Sequence, residues 1–184
     1  AGATIVFEDG NYAGGYTLST VGLTVDLNGC TIGPGSSAFT ATAENQQIVG
    51  PGTLDGEGDT APAVLVQTGA DNFTLENVEV TGWEDGVEVE GDVTSFKGVG
   101  NWFHENTDAG LQVDSDVTID GNVKIWGNLF KANGGNGIQN NNSSTNLLAE
   151  YNSWGDIEGP KGSDGDDVSS NVNYEPFTFA EVWM

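Results

Sequence analysis

The sequence has no arginine, only four lysines and a single histidine, against 28 Asp and Glu, for a formal charge of -24 over 184 residues. A surface of that sign repels nucleic acid and anionic lipid, so neither is an expected partner. Cys30 is the only cysteine, which excludes an intrachain disulfide. No run of apolar residues is long enough for a helical membrane span, so no membrane insertion is expected. Five prolines are too few for a disordered Pro/Gly tract. Helical signals are missing too: no segment sustains a 3.6-residue period, and none pairs a helix start with an apolar stripe.

What the chain does contain is glycine, 28 residues of it, and short apolar segments at regular intervals. One series begins at Asn28-Gly29-Cys30, Gly52-Thr53-Leu54, Asn77-Val78-Glu79-Val80, Asn101-Trp102-Phe103, Asn128-Leu129-Phe130 and Asn152-Ser153-Trp154, with steps of 24, 25, 24, 27 and 24 residues. A second runs Ala63-Val64-Leu65-Val66, Gly86-Val87-Glu88-Val89, Gly110-Leu111-Gln112-Val113 and Gly137-Ile138-Gln139-Asn140, with steps of 23, 24 and 27. Both lengthen at the same place, as one insertion in one coil would cause. Within each segment the alternation is period two: Val87 and Val89 face one way, Glu88 the other.

A repeat of this size with two or three short strands cannot bury its apolar side alone, so successive copies must stack. Stacked strands lie about 4.8 Å apart. The expected fold is an all-β, single-stranded, right-handed parallel β-helix of about six to seven coils, the hand following from the bias of parallel crossovers. Residues 1–184 form one domain: 1–21 a first coil or N-terminal strand, 22–155 regular coils, and 156–184 a short irregular tail with a terminal strand at Phe177–Trp183. Asn77, Asn101, Asn128 and Asn152 either form a ladder of amide hydrogen bonds or simply mark turns. Trp102, Phe103, Phe130 and Trp154 are expected to stack in the core.

The phrases Phe73-Thr74-Leu75-Glu76-Asn77-Val78-Glu79-Val80 and Asn133-Gly134-Gly135-Asn136-Gly137-Ile138 resemble repeats of right-handed parallel β-helix proteins. That group includes pectate lyases, polygalacturonases and NosD-like surface proteins. The stretch from Tyr151-Asn152-Ser153-Trp154-Gly155 to Tyr174-Glu175-Pro176-Phe177 is similar to a closing segment of such surface proteins. Two phrases are similar to polygalacturonase motifs: Gly50-Pro51-Gly52-Thr53-Leu54-Asp55-Gly56 and Asn106-Thr107-Asp108. The acidic pair, Gly-His-Gly and Arg-Ile-Lys segments that the resemblance would require after Asp108 are missing, and the arginine base of pectate lyases is absent. No catalytic residue is therefore assigned, and His104 is expected to be structural.

No motif demands a cofactor. Calcium is the one candidate, at Asp164, Asp166 and Asp167, oxygen-rich and turn-borne as such sites require, with a solvated acidic turn as the alternative. Asp114, Asp116 and Asp120 form a second such group. The chain begins Ala1-Gly2-Ala3-Thr4, which fits a processed secreted protein. The expected function is that of an extracellular structural protein, a subunit of a cell-surface layer, sheath or filament that self-associates through its ends. The alternatives are a polysaccharide-binding module using Trp83, Trp126 and Trp154, and a pectin-type lyase or hydrolase.

Overall fold

A computed structural model describes residues 2–119, 123–160 and 166–178. Every regular element among them is a short strand, and the strands form a parallel β-solenoid of about seven turns. Numbered in chain order, face A stacks β1 (Thr4–Val6), β4 (Thr24–Asp26), β7 (Gln47–Val49), β10 (Phe73–Glu76), β13 (Phe96–Val99) and β16 (Lys124–Trp126). Face B stacks β2 (Asn11–Tyr12), β5 (Thr31–Ile32), β8 (Thr53–Asp55), β11 (Glu79–Thr81), β14 (Trp102–His104) and β17 (Leu129–Lys131). Face C stacks β3 (Tyr16–Leu18), β6 (Phe39–Ala41), β9 (Val64–Val66), β12 (Val87–Val89), β15 (Leu111–Val113), β18 (Asn136–Asn140) and β20 (Asp167–Val168). The seventh turn runs through β19 (Leu147–Leu148) and a bridge from Ser153 to Leu129 before reaching β20, and β21 (Val172–Asn173) lies on β19.

Branched and aromatic side chains that point inward build these strands. Val25, Ile48, Leu75 and Ile125 line one inner column, and Ile32, Leu54, Val80, Phe103 and Phe130 another, all buried. Alternate residues such as Thr24, Thr53 and Glu88 face out, so each three-residue strand contributes one or two core side chains and no more. Paired columns of this kind suit β-branched residues, which pack well on a pleated surface.

Aromatic rings stack along the axis. Phe103, Phe130 and Trp154 lie 5.1 and 5.0 Å apart between centroids and within 15° of parallel. Trp102, expected in that stack, instead lies in the outward column of face B between Glu79 and Leu129, its ring on His104. It precedes Phe103 by one residue, and a shift of one in a strand moves a side chain to the other face.

The glycine series has a steric reason. A Cβ on Gly86 would come within 2.6 Å of the Phe103 ring, and one on Gly110 within 2.7 Å of both the Phe130 ring and the Gly137 carbonyl. Glycine lets the chain pass flat against the aromatic stack as it enters face C. Gly110→Ala should therefore lower stability by about 1–3 kcal/mol through overpacking, read as a lower urea midpoint at unchanged slope.

Two corners carry ladders of buried amides. Before face B, the backbone N–H groups of Val78, Asn101 and Asn128 donate to Oδ1 of Asn101, Asn128 and Asn152 at 3.0, 2.9 and 2.9 Å. The side-chain amides continue upward, Asn101 to Asn128 and Asn128 to Asn152, each at 3.0 Å. Asn77 is not a rung of this ladder. It is exposed, with φ of 56°, at the left-handed turn position that Gly100 and Gly127 occupy in later coils, and Val78 holds the ladder place. After face B a second ladder runs from the Trp83 N–H to Asn106, Asn133 and Asp166.

Candidate interaction surfaces

The second ladder accounts for part of the expected calcium group. Asp166 is buried, and its carboxylate accepts from both the backbone N–H and the side-chain amide of Asn133. Burial pushes its pKa up, and the hydrogen bonds from Asn133 work against that push. Asp167 is exposed at the start of β20, and Asp164 lies outside the described residues, as does Asp120 of the second acidic group. Among the described residues no group of three or more His, Cys, Asp or Glu side chains is arranged to hold a metal ion.

Asn106 of the polygalacturonase-like phrase is spent in the same ladder. Its amide donates to Asn133 Oδ1 at 2.9 Å, and its Oδ1 accepts the Trp83 N–H. Asp108 lies at the turn before Gly110, where its backbone N–H donates to the Glu84 carbonyl at 2.8 Å and its own carbonyl accepts the Gly135 N–H at 2.7 Å.

On face B the single histidine ties three coils together. His104 Nε2 lies 3.1 Å from Glu79 Oε1, and Thr53 Oγ1 donates to Glu79 Oε2 at 3.1 Å. The Trp102 ring covers the imidazole at 3.9 Å between centroids. The Thr81 hydroxyl sits 3.5 Å from Nδ1, beyond the range of a strong bond. Because Thr53, Glu79 and His104 stand on successive strands of one face, this cluster works as a tether along the axis. The 25 residues between Glu79 and His104 are close to one coil length, which places them on adjacent coils, but the diagonal contact of the two side chains is visible only in the structure.

Face C gathers acidic side chains on two adjacent coils. Its outward column runs Leu65, Glu88, Gln112, Gln139, and Glu90 and Asp114 follow the paired residues Val89 and Val113 on adjacent coils. At its entry Asp85 is only 4% exposed, with the Ala109 N–H donating to its Oδ1 at 2.8 Å. Burial raises the Asp85 pKa to about 7, and the negative charges of Asp108, Glu88 and Glu84 add to the rise. Glu88 and Asp114 are pushed up as well, first by burial and then by their acidic neighbours.

Face A is different. Lys97 and Lys124 are partners in register on adjacent strands, both exposed, and among the described residues neither forms an ion pair. Beside them Trp126, Leu148 and Tyr151 are about half exposed, and with Val123, Ile125 and Glu150 they line an open cleft of about 320 Å³. Of the three tryptophans expected near the surface, Trp126 alone is there; Trp83 and Trp154 are fully buried.

The two ends also differ. At the first turn Ile5 occupies the inner column, yet it is 50% exposed where Val25 beside it is 1% exposed. Val6 and Val21 are exposed nearby, and β1, β2 and β3 each pair with a single strand among the described residues. At the other end Tyr174 packs edge-on against Trp154, and Phe177 packs on Tyr174. No family model matches this sequence, and neither a curated protein nor a solved structure matches it.

Proposed function

We propose that this chain is an extracellular structural protein, a subunit of a cell-surface layer, sheath or filament, whose first turn meets a second copy of the chain. The observation that carries the reading is the uncovered inner column at Ile5, flanked by three strand edges without an outer partner among the described residues. Unpaired N–H and C=O groups beside apolar side chains are a template for another strand edge. Regular coils, shallow clefts and the incomplete catalytic sets of β-helix lyases and polygalacturonases support a non-catalytic role. The acidic coat keeps copies apart at low salt, and screening relieves that repulsion.

Light scattering and negative-stain microscopy over a concentration series should show oligomers or fibres that grow with salt. Ile5→Asp combined with Val21→Asp should abolish this salt-promoted growth while the chain stays folded. A monomeric parent chain at every concentration and salt level would overturn the reading. A second reading, a module for neutral polysaccharide, draws support from Trp126 and Tyr151 beside their cleft. Aromatic faces of this kind can stack on sugar rings, and affinity electrophoresis on cellulose and xylan would show retardation lost with Trp126→Ala.

A further inference from the structure

We infer that face A carries a second, lateral contact: Lys97 and Lys124 dock on the Glu90–Asp114 side of face C of another copy of this chain. The inference rests on the self-association reading and names a surface that reading does not use. Three observations lead to it.

In a chain with 28 carboxylates, two of its four lysines stand on adjacent coils of one face without an ion pair among the described residues. Strands in such a stack are about 4.8 Å apart, so the two ammonium groups start one coil spacing from each other. Glu90 and Asp114 also stand one coil apart, at the edge of face C, with Glu88 beside them. The charges are therefore matched in sign and in spacing. Every coil of the solenoid sets this spacing, and two rods lying side by side would keep it in step.

The neighbourhood of the lysines is apolar as well as basic. Trp126, Leu148 and Tyr151 expose half of their surface within one coil of Lys124. Leu65 lies in the outward column of face C one coil before Glu88, giving that face an apolar element beside its charges. The exposed aromatic and aliphatic part of this patch has the make-up of an interface rather than of a solvated face, with the two lysines supplying charge at its rim.

Faces A and C are different sides of the same rod. A contact that joins A of one copy to C of the next is heterologous, so it does not close on itself and propagates sideways. Combined with contact at the first turn, it would widen a filament into a layer. It would also relieve the crowding of negative charge on face C, where burial and like charges already hold Glu88 and Asp114 in a raised range.

Zero-length carbodiimide cross-linking of a mixture of isotope-labelled and unlabelled full chain tests this, with mass spectrometry separating links between copies from links within one. The expected result is isopeptide links between copies from Lys97 and Lys124 to Glu88, Glu90 or Asp114, weakened at high salt. Because the substitution also removes the reacting amines, the charge reversal is read without cross-linking: in the Ile5→Asp, Val21→Asp chain, Lys97→Glu with Lys124→Glu should weaken the low-salt dimer seen by sedimentation velocity about tenfold or more, since like charges then face each other, while the melting curve stays that of a folded chain. The Ile5→Asp, Val21→Asp chain should keep these links, so failure of the end contact and failure of the lateral one are read separately. Links scattered over all three faces, or none between copies, would overturn the inference. So would protection of the two lysines from acetylation by an anionic glycan with no protection by excess chain, which would assign the face to such a ligand.

Discussion

Asp85→Asn is expected to make the protein more stable above pH 7 and to flatten the pH dependence of its stability. In the folded chain the Asp85 pKa rises from 3.8 to about 7, chiefly through burial, with Asp108, Glu88 and Glu84 facing it. A carboxyl whose folded pKa exceeds its unfolded value binds its proton more tightly in the folded state. Between about pH 4 and pH 7 the native chain thus holds more protons than the unfolded one, and stability falls as the pH rises through that window. The loss at pH 8 relative to pH 4 approaches 4 kcal/mol for a shift of about three units. Glu88, Asp114 and Asp166 are shifted in the same direction and add to the slope. Asparagine keeps an acceptor for the Ala109 N–H and removes the charge. Urea midpoints from about pH 4.5 to about pH 8.5 should decline steeply for the parent chain and much less for the variant. Parallel curves would show that Asp85 ionises freely in the fold.

The fold could be read in the sequence because a solenoid repeats its physics. Period-two alternation at Val87-Glu88-Val89 and Leu111-Gln112-Val113 is the buried–outward–buried pattern of β12 and β15. The Ala63, Gly86, Gly110, Gly137 series marks a true column, since Val64, Val87, Leu111 and Ile138 are in register. The 27-residue coil is there as well, pairing Leu111 with Ile138. The other series was less reliable. Asparagine serves two purposes at the corner before face B, holding the left-handed turn at Asn77 and the ladder at Asn101, so the letter alone does not fix the register. Pairing in face B follows Thr31, Thr53, Glu79, Trp102 and Leu129, with steps of 22, 26, 23 and 27 residues. Asn28 and Asn77 are not equivalent starts, and counting from them hides the longer step at Thr53–Glu79.

The surfaces were harder to read, because what faces outward is not constrained by the core. Which outward residues are neighbours depends on every coil length before them. Lys97 and Lys124 are 27 residues apart and were within reach of inference once the long coil was located. The His104–Glu79 contact and the burial of Asp85 are not within such reach, since one depends on how two side chains lean across face B and the other on how a side chain turns at a corner. The uncovered Ile5 reads in sequence as an ordinary core residue, and only the stack shows that nothing among the described residues lies beyond it.

The ladder itself should bear the second large effect. Asn128 uses its full hydrogen-bonding capacity: its amide donates to Asn152 Oδ1 at 3.0 Å and to the Gly98 carbonyl at 2.9 Å, and its Oδ1 accepts the backbone and side-chain N–H groups of Asn101. Asn128→Leu would remove all four bonds and leave partners on the two neighbouring coils unsatisfied in a buried corner. Each orphaned buried group costs about 1–3 kcal/mol, and partial relaxation brings the expected loss to about 3–5 kcal/mol. Asn77→Gly offers the contrast. Its side chain is exposed and its backbone already sits where glycine is at ease, so stability should change by less than about 1 kcal/mol. Equilibrium urea unfolding of the two variants distinguishes a ladder from a turn marker, which are the two roles that asparagine plays at this corner. Equal, small effects would mean that the stacked amides add nothing to the stacked strands. A large loss confined to Asn128 would show that the corner, as well as the aromatic core, keeps successive coils in register.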